Sequence, residues 1–172
     1  MNQKNTATTG RSRASSPKTP IGWREWLALP QLGIPAIKAK IDTGARTSAL
    51  HTFSLEAFTA AGRRMVRFGI HPLQKRRDVE LFCEAPVLER RRVKDSGGHV
   101  EQRYVIQTEA VLRGAVWTIN VTLTNRDTMR FRMLLGRTAI EKRFVVDPGR
   151  SYLNGRALAK TYAVSKSKKG PS

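Results

Sequence analysis

The chain has 172 residues, and its 32 Lys and Arg outweigh 13 Asp and Glu for a net charge of +19. That length suits one domain around a single sizeable core, and a lone cysteine, Cys83, excludes an intrachain disulfide framework. No apolar stretch reaches the roughly 20 residues that span a bilayer. The polar N-terminus also lacks the apolar core of a secretory signal, so a cytoplasmic protein with no membrane contact is expected.

The charge is spread along the chain. Residues 1–20 hold four cations and residues 151–172 hold five, with no acid in either stretch, which leaves +10 on residues 21–150. Such a field favours acidic partners: nucleic acid, anionic surfaces or acidic polypeptides.

In chain order, residues 1–20 are polar, carry Pro17 and Pro20, and read as a disordered basic tail. A strand is expected from Trp23 to Leu29, a turn at Gln31-Leu32-Gly33, and an antiparallel return from Ile34 to Ile41, where apolar and charged residues alternate. This second strand runs into Asp42-Thr43-Gly44-Ala45. An acid, a β-branched hydroxyl and a glycine after a strand suit an exposed carboxylate in a close-approach loop, although the same three residues also make an ordinary turn. Thr47 to His51 continues as a strand. Ser54 is placed to cap a short helix from Leu55 to Ala61, with Gly62 just past its end.

Met65 to Ile70 and Val79 to Ala85 are strand-like, separated by the basic turn Lys75-Arg76-Arg77-Asp78. Two extended basic segments, Arg90 to Lys94 and Val100 to Thr108, then flank Gly97-Gly98 and predict a long hairpin. It is either a mobile lid or a plain solvent-exposed hairpin. The clearest strand is Val116 to Leu123, with Trp117, Ile119, Val121 and Leu123 on one face. Phe131 to Leu135 forms another, Thr138 to Lys142 is helix-like, and Phe144 to Asp147 is the last strand. Residues 154–172 read as a second disordered basic tail. Many short strands with one or two short helices predict an all-β, barrel-like fold for residues 21–153.

Two motifs carry the chemistry. Asp42-Thr43-Gly44-Ala45, and much further on Leu134-Leu135-Gly136-Arg137, form the paired signature of retropepsin-like aspartic proteases. The chain resembles that family, and most closely its cellular bacterial branch, whose members often carry the label ATP-dependent zinc protease. Ile21 to Trp26, Lys38 to Leu50 and Val121 to Thr128 are similar to that branch, so the resemblance runs from about Ile21 to Leu153. It implies an acid-protease barrel and a peptide hydrolase. The zinc and ATP of the label find no support in the residues. His51, His71, His99 and Cys83 are scattered with no His-Glu-x-x-His, and no Gly-x-x-x-x-Gly-Lys-Ser/Thr loop is present. No metal or cofactor is expected.

An aspartic protease holds water between two carboxyls that share one proton, because two like charges about 3 Å apart do not both ionise. Here one chain supplies one Asp-Thr-Gly. Asp78, Asp95, Asp127 and Asp147 stand in other contexts, so a two-fold homodimer joining Asp42 to its copy is the economical solution, and the one the resemblance implies. In that scheme Asp42 is the acid/base and Thr43 braces the two active-site loops. Gly44 and Ala45 lie beside the substrate, and Leu134, Leu135, Gly136 and Arg137 support the loop. Gly97 and Gly98 close over the peptide.

One position departs from the retroviral pattern: the acid that commonly follows Asp-Thr-Gly-Ala is replaced by Arg46, a like charge to Arg137. The usual ion pair at the dimer edge is therefore in question. Arg46 either favours Glu- or Asp-rich peptides through bidentate carboxylate contacts or is a solvated surface residue. A reading of another class is a catalytically silent basic adaptor that binds RNA or the ribosome, anchored by the arginine clusters and the tails.

Overall fold

The computed structural model describes residues 17–94, 97–126 and 128–163. Most of residues 1–20, the end of the C-terminal tail, and Asp95 and Asp127 lie outside the described residues.

The first three strands are β1 (Thr19–Gly22), β2 (Arg24–Leu29) and β3 (Ile34–Asp42). β2 alternates inward Glu25, Leu27 and Leu29 with outward Arg24, Trp26 and Ala28, the pleat of a half-buried strand. A 3-10 turn, Pro30–Leu32, closed by Gly33 at φ 67, reverses the chain, so that β3 pairs antiparallel with β2. β4 (Ser48–Thr52), β5 (Ser54–Ala60), β6 (Arg63–Ile70) and β7 (Leu81–Pro86) follow. The long hairpin is β8 (Glu89–Lys94) with β9 (Val100–Leu112), and β10 (Ala115–Asn125) turns back along β9. The chain finishes with β11 (Met133–Gly136), the single helical turn α1 (Arg137–Ile140) and β12 (Phe144–Asp147).

The main sheet has the order β10-β4-β11-β3-β2-β9-β8, and β9 also pairs with β10. That extra pairing closes the ring, so six strands form a barrel and β8 hangs from its rim. Trp117, Ile119, Val121 and Leu123 of β10 all point into the core, each no more than 5% exposed. They meet Leu27, Ile37, Leu50 and Leu135 there. The fold is all-β with one short α-helix among the described residues, as the strand pattern and the resemblance imply.

The helix expected over Leu55 to Ala61 is a strand instead. Ala61 and Gly62 both take positive φ, 48° and 74°, the geometry of a two-residue hairpin turn whose twist suits paired strands. β5 therefore folds back on β6, register Ala60 to Arg63. The backbone bonds of that pairing replace those of an isolated seven-residue helix, which is marginal in water. β7 completes a three-stranded sheet, and Val66, Phe68, Cys83 and Ala85 extend the core beneath it. The two strand-like runs expected at residues 65–70 and 79–85 thus belong, with β5, to a separate sheet.

The domain also reaches past both expected limits. β1 begins at Thr19 and pairs parallel with β12, Thr19 opposite Phe144. Residues 154–163, assigned from sequence to a disordered tail, pack on the barrel. The Tyr162 hydroxyl donates to the Ala36 carbonyl at 2.7 Å and accepts from the Ala36 amide at 3.3 Å. Buried Glu25 accepts amides from Gly22 (2.7 Å), Leu153 (2.9 Å) and Asn154 (3.4 Å), fastening the C-terminal segment to β2. No helix among the described residues is long and apolar enough to cross a membrane.

Candidate active site

The site is built where one strand threads between two others. β11 runs parallel to β3, placing Gly136 opposite Asp42 and Leu135 opposite Ile41. Its other edge pairs antiparallel with β4. The loop of residues 43–47 joins β3 to β4 and so must cross the end of β11. Gly136 is what lets it pass. A Cβ there would stand 2.5 Å from the Thr47 carbonyl carbon and 2.8 Å from the Ser48 nitrogen, which no side chain tolerates without a backbone shift.

The crossing is then tied down. Gly136 N donates to Ser48 Oγ (3.0 Å), and Arg137 N donates to the Ala45 carbonyl (2.7 Å). Thr138 donates through N and Oγ1 to the Arg46 carbonyl (3.1 and 2.9 Å). The Arg137 guanidinium donates to the Thr43 carbonyl at 3.3 Å. The two like charges therefore do not confront one another: Arg137 is spent on backbone, and the exposed side chain of Arg46 turns to the cleft. Gly136 and Arg137 stand against the Asp-Thr-Gly loop, while Leu134 and Leu135 lie beside Lys40 and Ile41 of the strand that leads into it.

Asp42 is half-buried at the strand end. Its Oδ1 accepts the amides of Gly44 (3.2 Å) and Ala45 (3.0 Å), a turn that orients the carboxylate. No hydrogen bond holds Oδ2 among the described residues. The carboxylate lines a cleft of about 610 Å³ floored by Ala45, Thr47, Ala49 and Leu134. Asp42 is the only acid lining it among the described residues. The side chain of Thr43 is exposed beyond the floor.

The β8–β9 hairpin forms the opposite wall with Arg91, Arg92, Val93 and Lys94, and Arg91 donates to Thr47 Oγ1 at 2.9 Å. Gly97 and Gly98 sit exposed at its far end, outside the cleft walls. Gly98, at φ 84, has the freedom a glycine brings to a tip. Arg103 and Arg126 add two further cations, each paired with Glu101. Arg46, Arg92 and Lys94 have no acidic partner among the described residues, so the cleft is strongly cationic around a single carboxylate.

Sequence reasoning missed His51. It lines the cleft although it is only 4% exposed, and Nδ1 donates to the Phe131 carbonyl at 2.6 Å. Burial lowers its pKa, and repulsion from Arg103, Arg132 and Arg126 works the same way, against the opposing pull of the Phe131 carbonyl. The imidazole is held neutral, leaving Nε2 as an acceptor. Spacing offered one signal for it: His51 lies two residues from Ala49 on one strand face. Cys83 is away from the cleft in β7, its thiol pushed up to about 11 by burial. Among the described residues no three His, Cys, Asp or Glu gather closely enough to hold a metal ion.

The profile of the RimB-like family, described as the retropepsin-like aspartic endopeptidase RimB, matches residues 20–157. The chain belongs to that family. The match spans the barrel and both site motifs and reaches into the C-terminal segment that Glu25 anchors. Relatives include a probable alpha-L-glutamate ligase of Shewanella halifaxensis, 44% identical over 153 residues, covering 87% of this chain but 33% of that protein. A protein of the same name from Parasynechococcus marenigrum is 49% identical over 135 residues, 78% of this chain and 29% of its own. This RimB-like chain therefore spans about a third of the length of those relatives. Among solved structures, Lpg0085 of Legionella pneumophila, of unknown function, is 27% identical with a TM-score of 0.66, over 80% of this chain and 99% of the other.

Proposed function

We propose that this chain is an aspartic endopeptidase that works as a two-fold homodimer and cleaves acidic, glutamate-rich polypeptides. The observation that carries the reading is the Asp42 carboxylate, oriented through Oδ1 by the Gly44 and Ala45 amides in a cleft with no second acid among the described residues. One carboxylate is half of the required pair, and a second copy brings the other across an isologous interface. With one proton shared between the two, the ionised carboxyl takes a proton from water. The protonated carboxyl gives its own to the carbonyl oxygen as hydroxide attacks the carbon. Collapse of the tetrahedral adduct then breaks the C–N bond as the leaving nitrogen is protonated.

The substrate class rests on charge. Arg46, Arg92 and Lys94 face a cleft that offers anionic side chains several unpaired cations, and arginine takes carboxylates bidentately. The names of the longer relatives agree with this. They are called probable alpha-L-glutamate ligases, and a domain that recognises glutamate-rich chains suits such a protein. Peptide turnover tests both parts with the intact chain. Wild type should cleave a glutamate-rich peptide and respond to a pepstatin-type inhibitor, while Asp42→Asn should lose at least 10²-fold in rate. Arg46→Asp should weaken cleavage of acidic peptides more than of neutral ones. No cleavage at any protein concentration, or cleavage that survives Asp42→Asn, would sink the enzyme reading; equal losses on both peptides would sink the acidic preference alone.

A further inference from the structure

We infer that the outer face of the β2–β3 hairpin is a binding site for single-stranded nucleic acid, with a slot between Trp26 and Tyr162 that takes one base. The slot encloses about 270 Å³ and is completed by Lys38, Leu73, Gln74 and Arg76. It is smaller than the roughly 300–1,000 Å³ of a drug-sized cleft, and suits one flat heteroaromatic ring.

In the sequence the aromatic residues stand apart from the basic runs. The fold brings the two together. On the outward face of the pair, Trp26 stands opposite Lys38 and Arg24 opposite Lys40, and the C-terminal segment lays Tyr152 and Tyr162 over them. The Lys38 ammonium lies 5.3 Å from the Trp26 ring centre and 5.8 Å from that of Tyr152. Arg24 lies 4.5 Å from the Trp23 ring centre and 5.0 Å from that of Tyr152, and Arg156 flanks the Tyr152 ring at 4.5 Å. Tyr152 holds this place at φ 55, a left-handed backbone that a tyrosine rarely adopts. Local strain maintained by the surrounding structure is a mark of functional positions.

Alternating rings and cations are what a single strand needs: the rings stack bases without regard to sequence, and the cations track phosphates. Lys38 stays in place through its bond to Gln74 (2.8 Å), whose amide in turn donates to the Arg130 carbonyl (2.7 Å). Asp78 neutralises Arg76, so the phosphate contacts fall to Lys38, Arg24 and Arg156. A glutamate-rich peptide would use the same cations but has no ring to fill the slot. Asp42 lies four residues further along β3, about 13 Å at strand spacing, so the two sites are separable.

The test uses the full-length chain with labelled 12-nucleotide oligouridylate, the DNA of matching sequence, and a glutamate-rich peptide of similar charge. Stacking should quench tryptophan emission in wild type, and Trp26→Leu should remove that quench and weaken binding about tenfold. Lys38→Gln, a surface change that keeps the assay informative if Trp26→Leu fails to fold, should lower the salt slope by about 1. RNA above DNA would assign a contact to the 2′-hydroxyl; equal binding would assign the site to single strands in general. Asp42→Asn should bind normally, so loss of the enzyme reading leaves this one standing. Two results would overturn it: binding unaltered in both variants with no quench, which assigns affinity to the basic tails, or quenching by the peptide as strong as by the oligonucleotide, which assigns the face to polypeptide.

Discussion

Gly136 and Asp42 show how much of the site comes down to single positions. A loop that crosses a strand end backbone to backbone needs a residue without a Cβ, since a Cβ at Gly136 would stand only 2.5 Å from the Thr47 carbonyl carbon. His51 carries a consequence that no motif announces. Its imidazole titrates below the ordinary 6.5 in the folded chain, because burial and the three neighbouring guanidinium groups both disfavour the cation. The unfolded chain then binds more protons than the native one as pH falls below about 6.5. The stability His51 supplies is full above that pH and is lost as pH drops through the folded pKa. Melting temperatures at about pH 7.5 and 5 should therefore converge in His51→Gln, which still offers a donor to the Phe131 carbonyl, relative to wild type. An unchanged difference would show that other groups control the acid limb.

Among the elements, the β8–β9 hairpin is the one whose role depends on how it is held. Its arginine-rich strand is a cleft wall through the Arg91 bond to Thr47 Oγ1, a residue at the exit of the Asp-Thr-Gly loop. A bond of this kind contributes about 1 kcal/mol, so Arg91→Ala should speed amide exchange along β8 about fivefold and raise KM for an acidic peptide with a smaller change in kcat. Faster exchange without any change in KM would make the hairpin a spectator. β5 teaches the opposite lesson. Ser54, a run of mild helix formers and Gly62 gave a coherent local reading, and a hairpin turn plus pairing with β6, itself backed by β7, overrode it. Propensity is a weak prior where tertiary pairing is on offer.

At the scale of the whole molecule, the proposed mechanism makes assembly a condition of chemistry. If the active form is the proposed dimer, specific activity should rise with protein concentration and level off once association is complete. A molar excess of Asp42→Asn should poison wild type by forming mixed pairs. Activity independent of dilution, with no effect of added Asp42→Asn, would contradict the dimer. The cationic field adds a second expectation at this scale. Cleavage of acidic peptides should weaken as salt approaches about 1 M, where the screening length falls to about 3 Å, more than cleavage of neutral ones does.

The sequence by itself determined the all-β class and most strand positions, because period-2 patterning is a local property, while the packing of Leu134–Arg137 behind Asp42-Thr43-Gly44 was implied by the family resemblance. It also determined that the domain is basic. Only the tertiary structure decided that residues 154–163 belong to the domain, since Tyr162 and the Glu25 anchor act across more than 120 residues. It likewise decided that His51 and the hairpin arginines share a cleft with Asp42, and that Trp26, Lys38 and Tyr152 form one face. The physical reason is the same in each case: a barrel closes through pairings between distant strands, and which side chains then meet depends on register and crossing order, neither of which any short window of residues contains.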